Sequence, residues 1–318
     1  MNPPGRACRP AARSLAGAGG GALMAAASMS CVQLGLALSV RLFDQLGPLG
    51  VAGLRLAWAG VLLVVLIRPR LRDFTSKDLL ACSLLGAVTA GMMLLFMLAV
   101  ARIPLGTASA LEFLGPLAVS LYGPGGGHRR WAAPAAVGVV LLTEPWQGGI
   151  NPVGLTFALA AGACWGSYIL LTQHVGDRVT GLTGLAVSIP VAGVIGMLAA
   201  APSLSRLTWQ LLGIMLALAA LHPVVTFSLE LQALRRLTAS AFGTLMSLEP
   251  AIALLAGLLV LRQVPRAPAA AGIILVVIAG VAATRSGGRA AVPDDHRGLT
   301  QMTRDAAAGS RATTTPTR

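Results

Sequence analysis

The chain has 318 residues, of which 55% are hydrophobic and 11% are charged, and its formal net charge is +13. A soluble globular domain carries about 25% charged residues, so this composition excludes that class and predicts an all-α polytopic membrane protein in a lipid bilayer. The basic residues fall mainly in loops and tails between apolar stretches, where they set orientation. The positive charge therefore gives no support to nucleic-acid binding.

Apolar stretches long enough to cross a bilayer core of roughly 30 Å recur along the chain. We predict ten transmembrane helices, in chain order at about 18–40, 47–67, 79–100, 104–123, 131–143, 152–173, 179–200, 208–230, 237–260 and 267–284. The fifth is short and is interrupted by Pro134. The first follows Arg6, Arg9 and Arg13, which leaves a secretory signal peptide as an alternative interpretation of that segment.

An internal repeat relates the two halves of the chain at a constant offset of 134 residues. Residues 134–142 (PAAVGVVLL) match 268–276 (PAAAGIILV), and residues 102–123 align with 236–257. The same offset carries the first span onto the sixth, an ordinary transmembrane segment, which argues against cleavage of the first. Five spans in each half is an odd number, so we predict two inverted five-helix repeats, an arrangement typical of secondary transporters.

The repeat predicts four regions of the chain and its orientation in the membrane. These regions are an N-terminal tail (1–17), a first repeat (18–145), a second repeat (152–284) and a disordered tail (285–318) without apolar periodicity. In the tails and loops up to residue 289, fourteen Lys and Arg residues fall on the side of the two termini, and five fall on the opposite side. Because positive charge stays in the cytoplasm, we predict a multi-pass protein of the cytoplasmic (inner) membrane with both termini cytoplasmic.

Four ionisable residues within the spans mark the candidate site. Arg55, Glu112 and Glu249 lie near span centres, and Glu230 lies near a cytoplasmic end. A charge at mid-bilayer costs about 2.5–3.5 kcal/mol on insertion scales, so such residues usually face a cavity or one another. The repeat sets Glu249 opposite Gly115, one turn from Glu112, which predicts that both carboxylates point into a central cavity.

One arginine cannot neutralise two carboxylates, so one glutamate is predicted to bind and release a proton during transport. Alternatively, a glutamate binds the ammonium of a substrate while Arg55 binds a carboxylate, an arrangement that suits a zwitterionic amino acid. Purely structural interpretations remain open. Glu249 would then tether helices, Arg55 would form an ion pair, and Glu230 would lie at an interfacial helix end.

Two prolines accompany these glutamates. Pro116 and Pro250 each remove a backbone N–H and free the carbonyl four residues earlier, that of Glu112 and that of Met246. Membrane helices tolerate this loss where neighbours, polar side chains or water satisfy the backbone. The prolines therefore predict either bends beside a hydrated pocket or kinks that the helices merely tolerate.

Other residues give weaker signals. Trp165 and Tyr168 lie on one face of the sixth span, where core packing is the favoured interpretation and substrate contact is the alternative. The four cysteines lack metal-ligand spacing, and neither an HExxH nor a GxSxG pattern occurs. We therefore predict no metal site, no cofactor and no enzymatic activity.

The segments ALEFLGP, GACWGSYIL, FSLELQALRRL and LMSLEPA, set in a five-plus-five repeat, resemble the EamA branch of the drug/metabolite transporter superfamily. Within that branch the chain looks most like the inner-membrane threonine and homoserine exporters, over residues 18–284. The resemblance implies efflux of small amino acids driven by protons, with Glu112, Glu230 and Glu249 as the polar positions. The GPGGGH loop, the short fifth span and the Arg/Thr-rich tail depart from the pattern.

Two other functions are kept as alternatives to amino-acid export. One is transport of another metabolite or of a drug. The other, of a different class, is a membrane scaffold or sensor that transports nothing.

Overall fold

The computed structural model describes residues 11–70, 72, 74–122, 131–144, 151–176, 183–221, 225, 226, 229 and 245–286. The predictions for Glu230, the GPGGGH loop and residues 287–318 fall outside these ranges. The described helices belong to one compact unit, Met1–Gly287. Their regular structure is helical, with no strand among the described residues, as the composition predicts.

The described residues form a series of α-helices. In chain order they are α1 (Ala11–Val40), α2 (Phe43–Ile67), α3 (Ser76–Val100), α4 (Leu105–Glu112), α5 (Leu114–Tyr122), α6 (Ala132–Thr143), α7 (Pro152–Gly176), α8 (Thr183–Ala200), α9 (Trp209–Ala220), α10 (Glu249–Leu261) and α11 (Ala267–Ser286). A 3₁₀ helix over Ala201–Arg206 follows α8. Each predicted span therefore contains helix, although α1 begins earlier than residue 18.

Five stretches are long and apolar enough to cross a membrane. They are Gly20–Val40, Phe43–Ile67, Ser76–Val100, Pro152–Thr172 and Thr183–Arg206. Shorter apolar helical stretches, of 10–17 residues, are Leu105–Val119 (across α4 and α5), Ala132–Leu142, Trp209–Ala220, Glu249–Leu261 and Ala267–Ala282. This set of helices is that of a membrane protein.

The regular hydrogen bonding of the fourth predicted span is interrupted, although Phe113 itself keeps helical φ and ψ angles of −62° and −16°. The span breaks at Phe113 into α4 and α5, and Pro116 occupies the first turn of α5. Pro250 is likewise the second residue of α10. Proline suits the first turn of a helix because the N–H groups there have no partner within the helix.

Helices from both ends of the chain enclose one interior region. α7 packs against α3, α4 and α5, while α10 packs against α1 and α4. Apolar residues of α1, α2, α3, α4, α7 and α10 form a shared core cluster that includes Leu36, Phe96, Leu111, Ala161 and Ala253. This packing brings the charged residues of separate helices close together.

Candidate functional site

The two glutamates predicted to share a cavity do so. Glu112, the last residue of α4, and Glu249, the first residue of α10, each have 9% of their surface exposed. Both line one cavity of about 240 Å³. The other lining residues are Val32, Leu36, Met92, Met93, Phe96, Trp165, Tyr168, Thr226 and Met246.

Glycines position the Glu112 backbone against α7. A Cβ atom added to Gly115 would overlap the carbonyl group of Gly162, and one added to Gly162 would lie 2.7 Å from the carbonyl oxygen of Glu112. The carbonyl that Pro116 leaves without its helical partner therefore faces the backbone of α7. This close approach fixes the depth at which the Glu112 side chain enters the cavity.

Gln33 is a site residue that the sequence interpretation missed. It lies in the middle of α1 with 1% of its surface exposed, and its Nε2 donates a hydrogen bond to Oε1 of Glu249 at 3.1 Å. An amide in an otherwise apolar run was a usable signal, but it was weaker than a formal charge. Gln33 orients the Glu249 carboxylate from the opposite side of the α1–α10 contact.

Arg55 lies in a second cavity, of about 110 Å³. It is 3% exposed, and its Nη1 donates to Oγ of Ser39 at 3.1 Å. Met92, Met93 and Tyr168 line both this cavity and the one that holds the glutamates. The two cavities therefore adjoin, with three side chains between the arginine and the carboxylates.

Trp165 and Tyr168 of α7 face the glutamate cavity. The Trp165 ring also packs edge-on against Phe113, with centroids 6.2 Å apart. Trp165 thus has both the packing contact and the cavity position that were set out as alternatives. Tyr168 belongs to the shared wall between the two cavities.

The clearest ion pair of the described residues lies away from this site. Arg266 Nη1 is 3.3 Å from Oε2 of Glu144, beside a third cavity of about 370 Å³ at the end of the molecule where α4 begins. Arg55 forms no ion pair with a described carboxylate.

A model of the EamA-like transporter family matches residues 152–284. The threonine/homoserine exporter RhtA of Salmonella typhimurium (strain LT2) is 37% identical over 247 residues, which cover 74% of this chain and 81% of that protein. RhtA of Escherichia coli K12 is 36% identical over 246 residues, with the same coverage. The chain belongs to the EamA-like transporter family.

Membership of the EamA-like family confirms the resemblance found in the sequence. It makes the chain a membrane transporter of small molecules and not an enzyme. A protein of known crystal structure shares the fold, with a TM-score of 0.55 and 18% identity over 86% of this chain and 98% of that one. The adjoining cavities with two carboxylates and an arginine therefore lie inside a transporter fold.

Proposed function

We propose that this chain exports small amino acids such as threonine and homoserine across the cytoplasmic membrane. The observation that carries the proposal is the 37% identity with a threonine/homoserine exporter over 74% of the chain. The site supports it, because a zwitterion requires groups of both signs, and the adjoining cavities supply Arg55 together with Glu112 and Glu249.

The chain crosses the membrane ten times as two inverted five-helix repeats, 18–145 and 152–284, with both termini cytoplasmic. The helix packing supports this arrangement, because the pairs α2–α8 and α6–α11 each join helices that the 134-residue offset relates. In the last pair, Cβ atoms added to Gly138 and Gly272 would lie 2.8 and 2.6 Å from each other's carbonyl oxygen. These glycines are themselves 134 positions apart, as expected across a pseudo-twofold axis.

Transport proceeds by alternating access, in which the two repeats rock around the midplane cavities. Glu112 and Glu249 bind the proton or the substrate ammonium. Arg55 binds a carboxylate or holds one glutamate in place. Glu230 stays a predicted substrate- or proton-binding residue, on the basis of the family resemblance. The breaks beside Pro116 and Pro250 leave backbone carbonyls near the cavity and allow the helices to bend there.

Counterflow in proteoliposomes tests the substrate. Vesicles loaded with unlabelled threonine are expected to take up radiolabelled threonine and homoserine faster than protein-free vesicles. A panel of other amino acids, other metabolites and drugs distinguishes this function from transport of another compound. Absence of flux for every compound in the panel would favour a scaffold or sensor instead.

A further inference from the structure

Two of the three guanidinium nitrogens of Arg55 have no hydrogen-bond partner among the described residues. Nη1 is bonded to Ser39 Oγ, and that hydroxyl in turn donates to the carbonyl oxygen of Gly35 at 2.6 Å. Nε and Nη2 of Arg55 are buried and have no hydrogen-bond partner among the described residues. Ser39 thus holds one corner of the guanidinium, and the opposite edge is buried without a hydrogen bond in this conformation.

The geometry of the unused edge is specific. Nε and Nη2 are neighbouring nitrogens whose N–H bonds point in parallel, so they match the two oxygens of one carboxylate in a bidentate pair. A buried charge without a partner is strongly destabilising, so a buried guanidinium without a counter-ion favours a ligand that supplies one. No described carboxylate forms an ion pair with Arg55.

We propose that this edge of Arg55 is a dedicated subsite for the carboxylate of the substrate, separate from the glutamate cavity. The inference rests on the proposed function, because it assigns the two charges of an amino acid to two adjoining cavities. The carboxylate lies against Arg55, and the ammonium lies toward Glu112 and Glu249. Arg55 is accordingly a substrate ligand and not the counter-ion of a glutamate.

The wall between the cavities suits such a divided site. Met92, Met93 and Tyr168 line both cavities, and methionine side chains repack readily because they are unbranched and have three rotatable bonds. The ammonium and carboxylate groups of an α-amino acid are attached to the same carbon. The molecule therefore reaches both subsites only where these side chains move aside. The predicted ligand class is therefore small monocarboxylates, with α-amino acids the members that engage both subsites.

Binding of three matched ligands to the purified protein tests this subsite. The ligands are threonine, its 2-hydroxy-acid analogue (carboxylate without ammonium) and threonine amide (ammonium without carboxylate). Binding is measured as ligand-induced thermal stabilisation, which does not require transport. In Arg55→Gln, affinity for threonine and for the hydroxy acid is expected to fall at least about tenfold, as for loss of charged hydrogen bonds, while affinity for the amide is unchanged.

Three further variants control for misfolding and for the loss of charge. Arg55→Lys keeps the charge without the parallel donors, so weakened binding of the hydroxy acid is expected. Ser39→Ala keeps the arginine but removes its anchor, and a smaller loss is expected. Arg206→Gln, a change of an exposed arginine that lines none of the three cavities, should leave all three affinities as in the wild type.

The outcomes separate this inference from the proposed function. Unchanged binding of the hydroxy acid in Arg55→Gln, or an equal loss for the amide, would overturn the carboxylate subsite even if threonine is transported. Binding of the hydroxy acid that depends on Arg55 in a wild-type protein without threonine flux would uphold the subsite and refute the proposed substrate.

Discussion

At the scale of single residues, the site is defined by polar groups that apolar helices bury. Arg55, Glu112 and Glu249 were identifiable from the sequence because a formal charge inside an apolar span is expensive. Gln33 and Ser39 were not, because an amide or hydroxyl is common enough in membrane helices to carry little signal on its own. Their roles depend on which side chains of other helices face them, and a single sequence does not contain that information.

The hydrogen bond from Gln33 to Glu249 gives the first prediction. Gln33→Leu removes the donor at nearly constant volume, and loss of a hydrogen bond to a charged group costs about 1.5–3 kcal/mol. We expect threonine affinity to fall about tenfold or more, measured by counterflow at graded substrate concentrations. Ser30→Ala is the matched control, because Ser30 lies on the same helix and its hydroxyl bonds only to the backbone of Ala26 among the described residues. Equal effects of both changes would contradict a specific role for Gln33.

At the scale of helices, the sequence predicted where the apolar segments lie but not how each one is interrupted. The ends of α1, α2 and α3 at Val40, Ile67 and Val100 coincide with the predicted ends. The break at Phe113 was signalled by Pro116, which lacks the N–H that would bond to the carbonyl of Glu112 four residues earlier, so α4 ends at Glu112. The sequence does not show the contact of Gly115 in α5 with the backbone of α7. Close backbone contacts of this kind need glycine on particular faces, and the partner of each glycine is visible only in the fold.

The contact between Gly115 and Gly162 gives the second prediction. Gly115→Ala places a methyl group against the backbone of α7, and overpacking of this kind costs about 1–3 kcal/mol. We expect a lower midpoint of thermal unfolding in detergent and reduced flux, because the shift also displaces Glu112. Gly213→Ala is the control, since an added Cβ there meets nothing within 4 Å. A Gly115→Ala protein as stable and active as Gly213→Ala would show that this contact is not tight.

At the scale of the whole molecule, polar contacts join the segment 260–266 to the first half of the chain at one end. Arg41 donates to the carbonyl oxygen of Val260, the backbone N–H of Leu105 donates to Gln263 Oε1 at 3.0 Å, and Arg266 pairs with Glu144. In the proposed orientation this is the external end. The internal repeat predicts that the halves pair, but these side chains lie in loops where the repeat is not preserved.

Loosening this end gives the third prediction. Gln263→Ala removes the side chain that caps the start of α4, a loss of about 1 kcal/mol, which corresponds to a shift of about fivefold in an equilibrium between closed and open states. We expect faster alkylation of a cysteine introduced at Thr107, a buried residue that lines the cavity at this end, in a background without native cysteines. Gln210→Ala, a change of an exposed glutamine, should leave the rate unchanged. An unaltered rate in Gln263→Ala would refute the closing role of the contact.

The central claim is that the buried glutamates couple amino-acid movement to protons. The most direct measurement is uptake of radiolabelled threonine into proteoliposomes with an acidic interior, compared with vesicles without a pH gradient. We predict that the gradient accelerates uptake by the wild type, that a protonophore abolishes the acceleration, and that Glu249→Gln abolishes it with the protein still inserted. Normal gradient-driven threonine flux in Glu249→Gln, or wild-type flux that is indifferent to the gradient, would contradict the account.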